Sequence, residues 1–337
     1  MSGYELEKKL LAALKANRHR YLSEDAILHE EGLADKFDGC TECAEDVERA
    51  IEILRLQGYE IDGDLDQGWH LIACPDMLNH FELEEALHTS FLGRALFTYR
   101  MIGSTNDTAR LLAVNGAADG TLIVAEEQSR GRGRRGQRWH SPPGGGIYAS
   151  LILRPGIEPS QAGGLGLLAA LSICLGIEQF AGLKPQIKWP NDIYLDGKKL
   201  AGILCEAEWS GSELIFLVLG FGINVNVRSF PAEIRACATS LEIETGGKKI
   251  PRIELLAEII DRLEGGYFQY LTDGFTSFLP RVQVRDYLRG RNVLIGLDNG
   301  DRLSGTARGI DEGGMLLVEV PGRERLTAVA GGHVLQC

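Results

Sequence analysis

The sequence predicts an α+β protein in three parts: an N-terminal winged helix, a central mixed-sheet domain and a small C-terminal antiparallel barrel. Three observations predict it. At 337 residues the chain exceeds one compact domain. Its texture changes from helical periodicity to strands alternating with helices near Pro75, and again near Arg291 to short strands separated by turn dipeptides. Hydrophobic content of 44% with 24% charged residues is ordinary for a globular protein.

The first part is read from periodicity. Leu6, Leu10, Leu11 and Leu14 recur at helical spacing, and Val47, Ile51 and Leu54 repeat the pattern. Tyr59 to Ile61, a turn-rich stretch to Gly68, and Trp69 to Ile72 read as a hairpin. Helices followed by a hairpin suggest a winged helix-turn-helix of about 70 residues. Residues 1 to 72 hold 8 Lys or Arg against 17 Asp or Glu, so most of the net charge of -12 sits here, and such a surface repels phosphate backbones.

In the central part, Thr121 to Glu126 (TLIVAE), Ile147 to Leu153 (IYASLIL) and Glu213 to Gly220 (ELIFLVLG) are apolar runs of strand length. Leu165 to Phe180 reads as a buried helix, and Arg252 to Leu271 as an amphipathic one with Ile253, Leu256, Ile260 and Leu263 on one face. From Arg291, NVLIGL, LSGTARGI, MLLVEV and ERLTAV are punctuated by Asn299-Gly300, Gly313-Gly314 and Pro321-Gly322, as in a small barrel. No window approaches the ~18 consecutive apolar residues of a membrane span, and the acidic N-terminus has no signal-peptide cleavage site, which points to the cytoplasm. Seven cysteines, an odd and scattered set, make no disulfide framework. Cys40 and Cys43 have the spacing of half a zinc site, without a second pair.

Four segments carry candidate chemistry. Gln128 to Trp139 (QSRGRGRRGQRW) holds five arginines interleaved by three glycines, directly after TLIVAE and shortly before IYASLIL. Glycines let backbone N–H groups surround an anion, and guanidinium forks bind phosphate or carboxylate bidentately. The alternative is a basic RNA-binding tail, which its place between two buried strands disfavours. Ser104-Thr105-Asn106-Asp107 precedes a helix expected over Thr108 to Val114. These residues read either as its N-cap or as polar groups aimed at a ligand.

Lys188 to Glu206 (KWPNDIYLDGKKLAGILCE) parses as strand, Pro-Asn-Asp turn, strand, Asp196-Gly197 hairpin turn and strand. Alternation places Lys199 on one face with Ala201 and Ile203, where an ammonium needs an anionic partner, and Gly202 admits a close ligand. Gly220 to Asn226 (GFGINVN) leaves a strand with Asn224 and Asn226 either as turn residues or as amides offered to a nucleotide.

In this order, Ser104-Thr105-Asn106, GRGRRGQRW, KWPNDIYLDGKKLAGILCE and GFGINVN resemble the biotin protein ligases, from about Thr98 to the end of the chain. The N-terminal reading resembles the bifunctional members, which also repress biotin synthesis. The resemblance implies a catalytic domain like those of the class II synthetase-like biotin/lipoate ligases and an SH3-like C-terminal barrel, with divisions at 1–73, 74–286 and 287–337. It implies ATP-dependent formation of biotinyl-5'-adenylate, with Mg2+, and transfer of biotin to a lysine of a carboxylase carrier domain. It further implies a homodimer.

By the same resemblance Ser104, Thr105, Asn106, Gln128, Gly131, Arg132, Lys199 and Gly202 line biotin, and Arg134, Arg135, Trp139, Asn191 and Asn224 meet ATP or the adenylate. Arg132, Arg134, Lys199 and Asp192 are the catalytic set, with Asp192 toward Mg2+. Apart from the resemblance, Arg308 of the barrel is a candidate to reach the site. Two alternatives stay open: a ligase that is also an operon repressor, and a lipoate-type acyl-adenylating ligase. The first is weakened by the sequence itself. The candidate recognition helix, about Ala44 to Gln57, opens on Glu45, Asp46 and Glu48, and the connection Gly32 to Cys43 is long for a tight turn.

Overall fold

The structure, a computed structural model, describes residues 3–23, 25–27, 42–158 and 161–337. It divides into two compact units, Met1–Met77 and Leu78–Cys337.

The first unit contains helix α1 (Gly3–Ala16), helix α2 (Glu42–Leu56) and the antiparallel hairpin β1 (Glu60–Asp64) with β2 (Gly68–Ala73). The apolar faces expected from periodicity are the buried ones: Leu6, Leu10, Leu11 and Leu14 on α1, and Val47, Ile51 and Leu54 on α2. Trp69 is buried, and a backbone bridge between Leu22 and Trp69 widens the hairpin. The segment 32–41, most of the long connection before α2, lies outside the described residues, as do Cys40 and the side chain of Cys43.

The second unit is built on a seven-stranded mixed sheet. Its strands are β3 (Leu96–Ile102), β4 (Leu122–Gln128), β5 (Gly146–Leu153), β6 (Gln186–Lys188), β7 (Asp192–Leu195), β8 (Lys198–Ser210) and β9 (Glu213–Asn224). The order is β3-β4-β5-β9-β8-β7-β6, with β3 and β4 parallel and every other pair antiparallel.

Both faces of this sheet are covered, which is why TLIVAE and IYASLIL are apolar throughout instead of alternating. On one face Ile123, Ile152 and Val218 pack with Ala109 and Ala113 of α4 (Thr105–Val114). On the other, Leu122, Val124, Leu151 and Leu219 join the main core with α5 (Ala162–Ala181) and α7 (Arg252–Asp273). The same unit contains the short helices α3 (His80–Ala86), α6 (Leu241–Glu244) and α8 (Leu279–Gln283). At Gly176 an added Cβ would lie 2.8 Å from Ile259 Cγ1, so the glycine sets how closely α5 and α7 approach. By length and composition α5 is apolar enough to cross a membrane, contrary to the sequence expectation, because scattered Gly and Ser do not lower its hydropathy enough. Here it is the central core helix, buried from Gly164 to Cys174.

The C-terminal strands β10 (Asn292–Gly296), β11 (Arg302–Ile310), β12 (Leu316–Glu319), β13 (Thr327–Val329) and β14 (His333–Gln336) form an antiparallel sheet in the order β13-β12-β11-β10-β14. Val293, Ile295, Ile310 and Val318 share one continuous apolar core with α5. The sheet is therefore fixed against the central one, and Trp189 Nε1 donates to Gly314 O at 3.0 Å across the junction.

One buried ion pair organises the strand ends. Arg252 opens α7 with no exposed side-chain surface, and its Nη2 meets Glu126 Oε1 at 2.9 Å. The same carboxylate accepts from Leu78 N and Gly144 N, while Arg252 Nη1 donates to Gly146 O. Removing one partner of such a pair strands the other charge and typically costs ~3–5 kcal/mol. Arg252→Met is expected to lose stability of that order in urea unfolding, and Arg252→Met with Glu126→Gln less than the two changes summed. A single variant within ~0.5 kcal/mol of wild type would contradict this.

Candidate active site

The arginine-glycine segment is an ordered loop between β4 and β5. Its entry is tied to the neighbouring strand by Ser129 N donating to Ile102 O and Arg130 N to Gly103 O, both at 2.9 Å. Trp139 N donates to Gly131 O and Gly133 N to Gln137 O, and a short bridge joins Arg132 to Arg138. At its tip is a single 3-10 turn, Arg134–Gly136. Arg135 sits there in the left-handed region (φ 54°), a conformation uncommon for non-glycine residues. Gly131 works through close approach, since an added Cβ would lie 2.6 Å from Trp139 O.

The loop roofs a cavity of about 300 Å3, at the small end of ligand sites. Its tip is held from the C-terminal sheet: Arg134 Nη1 donates to Gly332 O and to Asn191 Oδ1, each at 3.2 Å, and Arg135 pairs with Asp298 at 2.6 Å. The partners of Arg134 are neutral. Its charge is thus left to the cavity.

Opposite the loop, β7 and β8 supply the second cation. The register is irregular between Ile193 and Tyr194: Tyr194 faces Lys199, while Ile193 faces Ala201. Leu200 is the extra residue of a bulge, which resets the alternation. Lys199 therefore lines the cavity with Gly202 while Ala201 joins the core, correcting the face expected from simple alternation, and Ile203 belongs to the core and also touches the cavity. Its Nζ meets Asp192 Oδ1 at 2.6 Å and lies 5.6 Å from the Trp139 ring centroid. The expected anionic partner is Asp192. The Asp196-Gly197 turn before it has positive φ at both residues, as a tight two-residue hairpin requires.

The third wall is the start of α4. That helix begins at Thr105, three residues earlier than expected, because Gln128 Oε1 accepts from Thr105 N at 2.8 Å and ends the first turn from outside. Ser104 stands at the N-cap without a side-chain cap bond, 2% exposed and facing the cavity. Asn106 is fully engaged: its Oδ1 accepts from Ser150 Oγ, and its Nδ2 donates to Leu204 O and Glu206 Oε2.

Two glycines of β9 make the floor. An added Cβ at Gly220 would come within 1.7 Å of Asn106 Oδ1, and one at Gly222 within 2.4 Å of Trp139 Nε1. They are absent side chains into which cavity side chains fit.

This arrangement places Arg134, Lys199, a roofing loop and a helix N-terminus around one small chamber, suited to an extended anionic ligand. Against known proteins, the chain is 41% identical over 283 residues to the bifunctional ligase/repressor BirA of Bacillus spizizenii, covering 83% of this chain and 86% of that protein. The chain belongs to the biotin protein ligase family. Residues 98–224 match the biotin/lipoate A/B protein ligase family. The ligase is also 32% identical over 262 residues to the biotin–[acetyl-CoA-carboxylase] ligase of Mycobacterium tuberculosis, covering 75% of this chain and 94% of that one. Among solved structures, the biotin protein ligase from Aquifex aeolicus in complex with biotin and ATP superposes with a TM-score of 0.62 at 29% identity, over 72% of this chain and 97% of that one.

Of the residues singled out in the ligase sequence, Ser104, Thr105, Asn106, Gln128, Arg132, Arg134, Arg135, Trp139, Asn191, Asp192, Lys199 and Gly202 all line the cavity. Gly131 does not. Nor does Asn224, whose amide instead donates to Thr239 O at 3.0 Å in the buried end of β9. Arg308 pairs with Glu319 on the neighbouring strand, and from the C-terminal sheet it is His333 that lines the cavity. In GFGINVN a ligand role was expected at the asparagines, whereas the glycines shape the floor. Glycines at alternate strand positions were the signal, since both must face one side.

Proposed function

We propose that this chain activates biotin with ATP to biotinyl-5'-AMP, releasing pyrophosphate, and then transfers the biotinyl group to one lysine of a carboxylase carrier domain. The observation that carries this reading is the convergence of Arg134 and Lys199, from a roofing loop and from a strand, on one cavity. The division into a winged helix-turn-helix-like domain over 1–73, a catalytic domain over 74–286 and an SH3-like domain over 287–337 belongs to the same proposal, as does a cytoplasmic homodimer. Relatives named as biotin ligases favour biotin over lipoate.

In the first step a biotin carboxylate oxygen bonds to the α-phosphorus as the bond to pyrophosphate breaks. Two anions must be brought together, so fixed positive charge is the main requirement. Arg134, held only by neutral oxygens, and Lys199 supply it. Among the described residues no cluster of three or more His, Cys, Asp or Glu could hold a metal. Among the described residues Asp192 is the one carboxylate on the cavity wall. One carboxylate fits Mg2+ that takes its remaining ligands from nucleotide phosphates and water. Asp192 would hold it there, and Mg2+ would offset charge on the departing pyrophosphate.

The product is a mixed anhydride that water destroys, and the roofing loop excludes water from it. In the second step the acceptor amine bonds to the acyl carbon and AMP leaves with the bonding electrons. Arg134→Ala and Lys199→Ala are each expected to slow single-turnover adenylate formation by roughly 10²–10³-fold. Wild-type rates in either would defeat the assignment.

A repressor role, as in the name of the Bacillus relative, finds little support in α2. Arg49 is paired with Asp46 and Arg55 with Glu52, and Arg55 also donates to Ile61 O and Gly63 O of the hairpin. The exposed helix face keeps Glu45 and Glu48 while both of its arginines are neutralised. No specific retardation of biotin-operon DNA is expected with biotin and ATP present, and a nanomolar complex in that assay would overturn this reading.

A further inference from the structure

Arg132 differs from the other cations of the cavity because two carboxylates meet it, where Lys199 and Arg135 each meet one. Its Nη2 donates to Glu206 Oε1 at 2.7 Å, and its Nη1 to Asp107 Oδ1 at 2.5 Å and Glu206 Oε2 at 3.2 Å. One guanidinium thus serves two carboxylates from different elements, the first turn of α4 and the middle of β8. Burial alone would lower its pKa, but Glu206 and Asp107 hold it above the ordinary arginine value. A cation with this surplus of counter-charge has little left for an anionic ligand.

Glu206 is also a prepared acceptor. Its Oε2 takes a bond from Asn106 Nδ2 at 2.9 Å, and Asn106 is itself fixed by Ser150 and seated in the space left by Gly220. The carboxylate is therefore oriented independently of Arg132. On the other side, Arg132 forms the bridge with Arg138 that closes the arginine-glycine loop on itself. The contact joins a preset site on the sheet to the neck of the loop, and side-chain exposures of 41%, 31% and 53% for Arg132, Glu206 and Asp107 leave it open to salt.

We propose that Glu206 and Asp107 are positioning residues for Arg132, forming a latch that keeps the loop closed and sets how long the activated intermediate is retained. The charge facing the ligand comes from Arg134 and Lys199. The retention clause rests on the adenylate-forming reading above, whereas the latch does not.

The test uses the full chain with Glu206→Gln and Asp107→Asn. Without ligand, tryptic cleavage at the loop arginines, read by mass spectrometry of the fragments, is expected to quicken ~3- to 10-fold in Glu206→Gln. Wild-type cleavage is expected to quicken as salt is raised from ~0.05 to ~0.5 M, and the variant's to respond much less. Asp107→Asn, at an exposed position, should show the same direction with a smaller effect and covers the case in which Glu206→Gln fails to fold. With biotin and ATP, release of preformed biotinyl-adenylate without acceptor should accelerate by a similar factor, and its formation should change less.

Cleavage rates equal to wild type and indifferent to salt would overturn the latch. Faster cleavage with unchanged release would overturn the retention role. Faster cleavage in a protein whose wild type forms no adenylate would support the latch and count against the adenylate reading instead.

Discussion

Arg252 is wholly buried, and its charge is met by Glu126 at the end of β4. Burying two charges is favourable only when their remaining hydrogen-bonding capacity is also filled. Leu78 N, Gly144 N and Gly146 O fill it here. Each lies at a point that matters for the site. Glu126 stands two residues before Gln128, Gly144 is near the exit of the arginine-glycine loop, and Gly146 is the first residue of β5. The pair therefore clamps both stems of the loop, and the position of Arg132 and Arg134 over the sheet follows from a contact neither residue makes.

With the stems fixed, the chamber below is shaped by what β9 lacks. Gly220 and Gly222 leave room for Asn106 and Trp139, and those two side chains in turn position Glu206 and crowd Lys199. The cations are sorted by their partners. Arg132 is consumed by two carboxylates, Arg135 by Asp298 and Lys199 by Asp192, while Arg134 meets only neutral oxygens. Three of the five arginines in this stretch thus divide between two held by carboxylates and one left to neutral oxygens.

Much of this was legible in the sequence, because it depends on local features. The apolar strands flanking QSRGRGRRGQRW made the loop ordered, the Asp196-Gly197 turn fixed a hairpin, and helical periodicity identified the buried faces of α1 and α2. The words KWPND and GKKLAG brought Asn191, Asp192, Lys199 and Gly202 to one site. What was not legible depends on partners distant in the chain. The bulge at Leu200 reverses the face of Lys199, and strand register is decided across the ladder, not along it. Asn224 is diverted to Thr239 O in the loop that follows its strand, and whether Arg308 or His333 reaches the cavity turns on how the C-terminal sheet packs on the central one. The three-residue extension of α4 has the same origin, since Gln128 caps it from another strand.

The central claim is that this chamber makes a reactive anhydride and keeps it from water. Its most direct measurement is the retention of labelled adenylate through gel filtration, after incubation with biotin and ATP labelled at the α-phosphate, without any acceptor. Close to one biotinyl-adenylate is expected to be held per chain, its label released as AMP when a biotin carrier domain is added. Label that runs free of the protein, or that is held equally when lipoate replaces biotin, would contradict it.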